Sequence, residues 1–399
     1  MLSKVSAIRR VLILLVAIVI AAVPLLVAQD LFEPTANAAP SVTSKPGAGT
    51  VLSSEDITDR PNARLPGVGK VIAVTYLSEG PGGDLIPVRG TVSIPAAAPR
   101  DGAYRILAWG HGTSGLGDQC TVTDRMGTPG RWEIWFGPWI NAGYVMTATE
   151  YAGIGGPGVH PYADGDVQGK NMLDSVRAAR TVVEQYSGHR ASRGFVTSGG
   201  SQGGQTSLFA GHLAPTYSPD LVNVGITAQS VPTDIAALLS AAAPGVPPVE
   251  IPDYVTYFSY VLAGLKVSRP DIDVDSYLTP LGRKVIADAA TLCYPNQGRA
   301  TRGLNVGQLV AKPLAQGPLI PALRSVSEVP ETGYRAPILL QQGTFDVVAP
   351  IPVTDAFVDR ARAGGANIDY RIYQTSHGLT ASAEQSALAW ANQRNWPAG

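Results

Sequence analysis

The sequence predicts an α/β fold with a mostly parallel central sheet, helices on both faces and an inserted helical cap. Three observations lead there. Between residues 67 and 231, short apolar runs alternate with helix-period patterns. From 232 to 332 the patterns are helical, broken by prolines, and no strand is evident. Alternation then resumes from 333 to 399. The chain has 399 residues, of which 45% are apolar and 15% charged, enough to bury a large core. A formal net charge of −1 gives no electrostatic basis for a nucleic-acid partner.

The N-terminus reads as an export signal. Lys4, Arg9 and Arg10 precede an apolar run from Val11 to Ala28, and the small-residue site Ala36-Asn37-Ala38 follows. The run is also long enough to span a bilayer, so an uncleaved anchor is the alternative to a signal peptide over 1–38, although Pro24 interrupts it. Either way the body is exported, secreted or held at the cell envelope. Its only cysteines are Cys120 and Cys293. In an oxidising compartment such an even pair is expected to be bridged, and without nearby histidines it does not make a zinc site.

Residues 39–66 are rich in Pro, Ser, Thr and Gly and read as an irregular lead-in. Val71–Leu77 and Pro87–Ile94 then read as strands around the turn-rich 78–84 segment. Arg105–Trp109 is a short buried strand entering Gly110-His-Gly-Thr-Ser-Gly115, and Tyr144–Thr149 is another. Asp166–Tyr186 has helical spacing, with Met172, Val176, Ala179 and Val183 on its apolar side. After the strand Phe195–Thr197 come a helix from about Gln202 and a strand over Val222–Ala228. The cap carries helical patterns at Ile235–Ala243, Val255–Leu265 and Leu281–Ala290. The strand Ala336–Gln342, a helix Val353–Ala363, the strand Ile368–Tyr373 and a helix Ala381–Asn392 complete the chain.

Gly199-Gly-Ser-Gln-Gly203 fits the G-x-S-x-G pattern of a nucleophile on a sharp strand-to-helix turn. Such a turn holds the serine in a strained conformation, so positions two residues away must be nearly free of side chain. Where this elbow occurs, an acid and then a histidine follow the serine in chain order. Of the five histidines, His111, His160 and His189 precede Ser201, and His212 lies in the elbow helix. His377, in the loop leaving the last strand, remains as the base. Among the carboxylates between them, Asp346 follows a strongly apolar strand by a short turn at the sheet's carboxyl edge. Asp369 lies inside a strand, and Asp271, Asp273 and Asp275 fall in the cap.

In this reading Ser201 attacks an acyl carbonyl, His377 relays its proton and Asp346 orients the imidazole. One oxyanion donor is the backbone N–H of Gln202; the other is that of Gly112 or Thr113. His111 is read as support for its loop.

Five motifs together make the chain resemble the secretory lipase family of α/β-hydrolases. They are Trp109-Gly-His-Gly-Thr-Ser-Gly115, Tyr151-Ala-Gly-Ile-Gly-Gly156, Ser198-Gly-Gly-Ser-Gln-Gly-Gly204, Gly343-Thr-Phe-Asp346 and Ser376-His377. The resemblance implies a triacylglycerol lipase or carboxylesterase with Ser201, Asp346 and His377 as its triad and a lid where the helical insertion falls. It implies no cofactor, a small-molecule or lipid ester as partner, and transient contact with a lipid interface through the cap. The alternatives are a cell-envelope acyltransferase or serine peptidase using the same triad, and a non-catalytic binding module on the same scaffold.

Overall fold

The computed structural model describes residues 47–128, 133–249, 251–378 and 380–397. The export signal, its apolar run and Ala36-Asn37-Ala38 lie outside the described residues. No helix among the described residues is long and apolar enough to cross a membrane.

A nine-stranded sheet organises the molecule, in the order β1-β2-β3-β5-β4-β6-β7-β8-β9. Its strands are β1 Val51–Asp56, β2 Val68–Glu79, β3 Leu85–Pro95, β4 Ala103–Gly110, β5 Tyr144–Thr149, β6 Arg190–Gly199, β7 Val222–Gln229, β8 Ile338–Gly343 and β9 Ile368–Tyr373. The first three pair antiparallel, as do β3 and β5. From β5 through β4, β6, β7 and β8 to β9 every pairing is parallel, and this is an α/β-hydrolase fold.

One element corrects the expected irregular lead-in over 39–66. Val51–Asp56 is a strand that pairs with β2 at the edge of the sheet. Its sequence VLSSED buries no residue fully, so it shows none of the alternation of a half-buried strand. Backbone pairing with a single neighbour holds it.

Helices cover both faces of the sheet. On one face α2 (Gly165–Ser187) packs against the strands through Met172, Val176, Ala179 and Val183, all fully buried with Phe195 of β6. Asp164 caps its start by accepting from Val167 N–H, and Gly188 ends it at φ 69°, where a left-handed residue closes the last turn. Behind it lies α3 (Gln202–Tyr217), the helix that leaves the elbow. On the other face α1 (Glu133–Asn141) and α11 (Ala381–Asn392) pack Phe136, Trp139 and Trp390 against Leu107, Val196 and Leu339. A fully buried Phe or Leu in such a layer contributes roughly 1.5–3 kcal/mol. The remaining helix of the core is α10 (Ile351–Ala363).

Between β7 and β8 the described residues form six α-helices, a short 3-10 turn over Val274–Tyr277 and no strand. The α-helices are α4 Ile235–Ser240, α5 Tyr254–Ser268, α6 Pro280–Ala289, α7 Tyr294–Ala300, α8 Val306–Leu309 and α9 Leu319–Ser327. They enclose their own apolar cluster around Phe258, Leu262, Leu309 and Leu319, which Leu116 and Tyr162 also join. The segment is tied to the sheet's carboxyl edge by a Cys120–Cys293 disulfide and by pairing of Gly115 with Cys293.

Candidate active site

The parallel register brings Gly110 beside Gly199 and Gln229 beside Gln341, so the loops leaving β4, β6, β7 and β8 gather at one edge. Open α/β sheets bind their ligands at that edge. Ser201 stands there at φ 55° and ψ −121°, outside the helical and extended regions. The surroundings enforce this conformation. A Cβ on Gly199 would lie 2.4 Å from the Gly203 carbonyl, and one on Gly203 would lie 1.9 Å from the Gly110 oxygen. Strand β4 and helix α3 therefore approach as closely as bare backbone allows, and the serine turns outward between them.

His377 Nε2 lies 3.0 Å from Ser201 Oγ. On its far side Nδ1 is 2.9 Å from Asp346 Oδ2 and 3.0 Å from Oδ1. In the tautomer this chain requires, Nδ1–H donates to the carboxylate and Nε2 accepts from the serine hydroxyl. Asp346 is fully buried at its side chain while His377 keeps 19% exposure, so the acid is fixed and the imidazole reaches the cleft. The carboxylate also accepts from Val348 N–H at 3.0 Å and Ala349 N–H at 2.8 Å, and from the Gln342 amide at 3.2 Å. Burial pushes its pKa up, but the His377 hydrogen bond and charge, with the Ala349 and Ser230 donors, outweigh burial and hold it below the ordinary carboxylate range.

Gln202 is the first residue of α3, so its N–H has no helical carbonyl four residues back to bond. Its side chain is locked. The amide donates to His160 Nε2 at 2.8 Å and to Gln168 Oε1 at 2.9 Å. His160 Nδ1–H in turn donates to the Ala152 carbonyl at 2.9 Å, and burial drives this imidazole's pKa down to about 3, keeping it neutral. Gly112 lies against the elbow: a Cβ there would sit 3.5 Å from the Gly200 oxygen and 3.9 Å from Ser201 Cβ. Thr113 holds Tyr162 through a 2.6 Å hydroxyl contact.

Beneath that loop His111 is buried, its Nδ1 2.7 Å from the Gly112 oxygen and its Nε2 3.6 Å from Glu150 Oε2. Tyr151, at φ 66°, donates its hydroxyl to the His111 carbonyl and stacks on His160. The Tyr151 motif thus lies as a floor between the His111 loop and the His160 ring that holds Gln202. Of the other two histidines, His189 packs on Tyr104 and His212 faces the Thr332 carbonyl, both away from Ser201. Asp369 pairs with Arg371, and Asp271 and Asp275 pair with Arg269 and Lys266 in the helical segment. Asp273 caps a short helical turn. No cluster of metal-ligating side chains occurs among the described residues.

Two cavities meet at Ser201 and share Gly112 and His377. One, of about 380 Å³, is walled by Trp109, Trp135 and Phe136, with Ser230 and Glu384 at its polar end. The other, of about 440 Å³, is lined by Thr113, Gln119, Arg125, Tyr257 and Tyr294 beside the disulfide. Sequence reasoning missed α1, which supplies Trp135 and Phe136, and it missed Glu384 and Glu150. A signal existed for each. Trp135-Phe-Gly-Pro-Trp139 is an aromatic cluster between two strands, Glu150 directly follows a buried strand, and Glu384 interrupts an otherwise small and apolar helix.

The secretory lipase family model matches residues 133–305, a span that holds the Tyr151–Gly156 and Ser198–Gly204 motifs, and bears out the resemblance. A search of curated protein sequences gives no match. Among solved structures, the rice cell wall degrading esterase LipA from Xanthomonas oryzae is 20% identical. The alignment covers 87% of this chain and 96% of that one, with a TM-score of 0.68. Candida antarctica lipase A in its closed state is 19% identical over 86% of this chain and 80% of that one, with a TM-score of 0.67. At these identities the likeness is one of fold.

Proposed function

We propose that this chain, an α/β-hydrolase resembling the secretory lipases, is an exported serine ester hydrolase that works through an acyl-enzyme on Ser201. The observation that carries the reading is the continuous chain Ser201 Oγ, His377 Nε2, His377 Nδ1, Asp346 at hydrogen-bond distances, with Ser201 in the strained elbow conformation. Ser201 Oγ attacks the ester carbonyl as its proton passes to His377 Nε2. The C–O bond to the alcohol then breaks as that proton moves to the departing oxygen. Water repeats the sequence on the acyl-enzyme and releases the acid. Asp346 offsets the imidazolium charge at each proton transfer, and the Gln202 N–H with one donor from Gly112-Thr113 meets the oxyanion.

The two cavities divide the ester. The aromatic chamber of Trp109, Trp135 and Phe136 receives the acyl group, and the more polar chamber under Tyr257 and Tyr294 receives the alcohol. Residues 232–332 act as the cap that closes over the alcohol side, because Tyr257, Tyr294 and Cys293 come from that segment. The disulfide supports an extracytoplasmic location.

The test is labelling and turnover. Purified protein should react at Ser201 with a fluorophosphonate and hydrolyse p-nitrophenyl acyl esters, while Ser201→Ala does neither. Folded wild-type protein that neither labels nor turns over would refute the proposal.

A further inference from the structure

The His111 ring nitrogens impose a constraint that the mechanism above does not use. Nδ1 lies 2.7 Å from the Gly112 oxygen, and a carbonyl oxygen only accepts, so Nδ1 carries the proton. On the neutral ring Nε2 is then an acceptor. It is buried, makes no hydrogen bond among the described residues, and faces Glu150 Oε2 at 3.6 Å. Two acceptors facing each other in a dry site repel unless a proton stands between them.

The rest of Glu150 has the pattern of a neutral acid. Among backbone donors, Oε1 takes the shortest contacts, from Val122 N–H at 2.9 Å and Thr123 N–H at 2.7 Å, whereas Oε2 has a longer one from Val122 at 3.1 Å. Oε1 is thus the carbonyl oxygen, and Oε2 bears the hydrogen aimed at His111. Burial favours the neutral form of both groups: it raises Glu150 to about 7 against the Thr123 and Val122 donors, and lowers His111 to about 4 against the Gly112 and Glu150 backbone carbonyls. The other groups around the pair are Asp124, which adds negative charge near Glu150, the distant imidazole of His160, and the hydroxyls of Tyr76 and Tyr151.

The consequence lies in the peptide unit that His111 holds. No described peptide bond is cis, so the Thr113 N–H points opposite to the Gly112 C=O. With that carbonyl drawn into the His111 ring, the Thr113 N–H is turned away from the ring. Gly112 and Thr113 both line the cavity they share with Ser201, which His111 lines as well. We propose that His111 and Glu150 are a buried positioning pair that orients the Gly112–Thr113 peptide, making the Thr113 N–H the second oxyanion donor beside that of Gln202. The inference rests on the ester-hydrolase reading and deepens it. Neither side chain touches substrate; both act through the peptide.

Four side-chain variants test it, with p-nitrophenyl butyrate as substrate. Glu150→Gln keeps an acceptor for Val122 and Thr123 and a donor toward His111 Nε2, so kcat should stay within about threefold. His111→Asn keeps a nitrogen near Nδ1 and should do nearly as well. Glu150→Leu and His111→Leu lose the orientation and should lower kcat by about 10²- to 10³-fold, the cost of one oxyanion donor, with KM little changed. Affinity for a trifluoromethyl ketone, which forms a tetrahedral adduct on serine, should fall by the same factor.

The proposal is overturned if folded Leu variants keep full kcat, or if the Gln and Asn variants lose as much as the Leu variants, which a purely structural role predicts. Should the Leu variants not fold, a backbone ester replacing the Thr113 N–H, made with the α-hydroxy acid, decides. The loss should appear at position 113 and not at 112; the reverse refutes the assignment. Active wild-type protein with indifferent variants refutes this pair alone, whereas folded wild-type protein without turnover refutes the hydrolase reading itself.

Discussion

Glu384 should make the protein less stable as pH rises, by an amount its environment allows to be worked out. It sits on α11 with 2% exposure, at the wall of the aromatic chamber. Trp139 Nε1–H donates to Oε1 at 2.6 Å and the Gln229 amide to Oε2 at 2.9 Å, but no cation pairs with it among the described residues. Burial outweighs the two donors and raises its pKa from 4.5 to about 7. The folded state therefore binds this proton more tightly than the unfolded chain does. Below pH 4.5 both states hold it and there is no penalty. Between pH 4.5 and 7 the unfolded chain releases it first and folding becomes progressively less favourable; above 7 the full penalty applies. At about 1.4 kcal/mol per pH unit the whole displacement amounts to roughly 3 kcal/mol.

Glu384→Gln removes the ionisation and keeps an acceptor for Trp139. Its new amide would face the Gln229 amide, but Gln229 Oε1 has no partner at present and can turn to accept from it. The variant should therefore gain little over wild type at pH 5, less than about 1 kcal/mol, and roughly 3 kcal/mol at pH 8. At about 2.1 cal/mol/K per residue for roughly 350 described residues, 3 kcal/mol is a rise in Tm of roughly 4 °C. The assay is thermal melting of both proteins at pH 5 and pH 8 at constant ionic strength. Equal Tm differences at the two pH values would show that Glu384 does not titrate in this window. Glu150, also raised to about 7, leaves the variant with a residual slope of the same sign. Asp346, held low, contributes in the opposite sense and only in acid.

Four further outcomes follow. Asp346→Asn should cut kcat on the order of 10³- to 10⁴-fold while leaving the melting temperature near wild type, measured on p-nitrophenyl esters; an unchanged rate would place the acid elsewhere. Trp135→Ala should open the aromatic chamber and move the preferred acyl length upward across an ester series, and an unmoved optimum would place the acyl group in the other chamber. Reduction, or Cys120→Ser with Cys293→Ser, removes a link across 173 residues and should cost up to about 5 kcal/mol on the chain-entropy model, read as a lower Tm. Gly203→Ala puts a Cβ 1.9 Å from the Gly110 oxygen, so it should abolish fluorophosphonate labelling of Ser201; labelling at the wild-type rate would contradict the tight elbow.

Most of the fold could be read from periodicity because the central parallel strands are buried on both faces. Tyr144–Thr149 and Ile368–Tyr373 run as expected from the sequence, and Asp166–Tyr186 falls one residue inside α2 at each end. What escaped was what periodicity does not encode. The edge strand Val51–Asp56 is nearly all exposed, so no alternation marks it. Helix α1 is short, carries Pro138 within it, and draws its stability from Phe136 and Trp139 packing under the sheet rather than from an amphipathic stripe.

The candidate site divides in the same way. Ser201 was legible because a strained turn forces small residues at fixed offsets, and His377 and Asp346 because strand order limits where an acid and a base can fall. The second oxyanion donor obeys no such local rule. Whether Gly112 or Thr113 presents its N–H depends on how the two peptide planes flanking Gly112 are turned. In the proposed pair the grip on the Gly112–Thr113 plane comes from His111 Nδ1–H on the Gly112 oxygen, with Glu150, 39 positions further along the sequence, against the other ring nitrogen. Glu150 in turn is anchored by the 122–123 backbone, just past the disulfide that ties the loop to the helical segment. A glycine-rich loop read by itself leaves two donors equivalent; in the proposed arrangement the buried acid behind it breaks the tie.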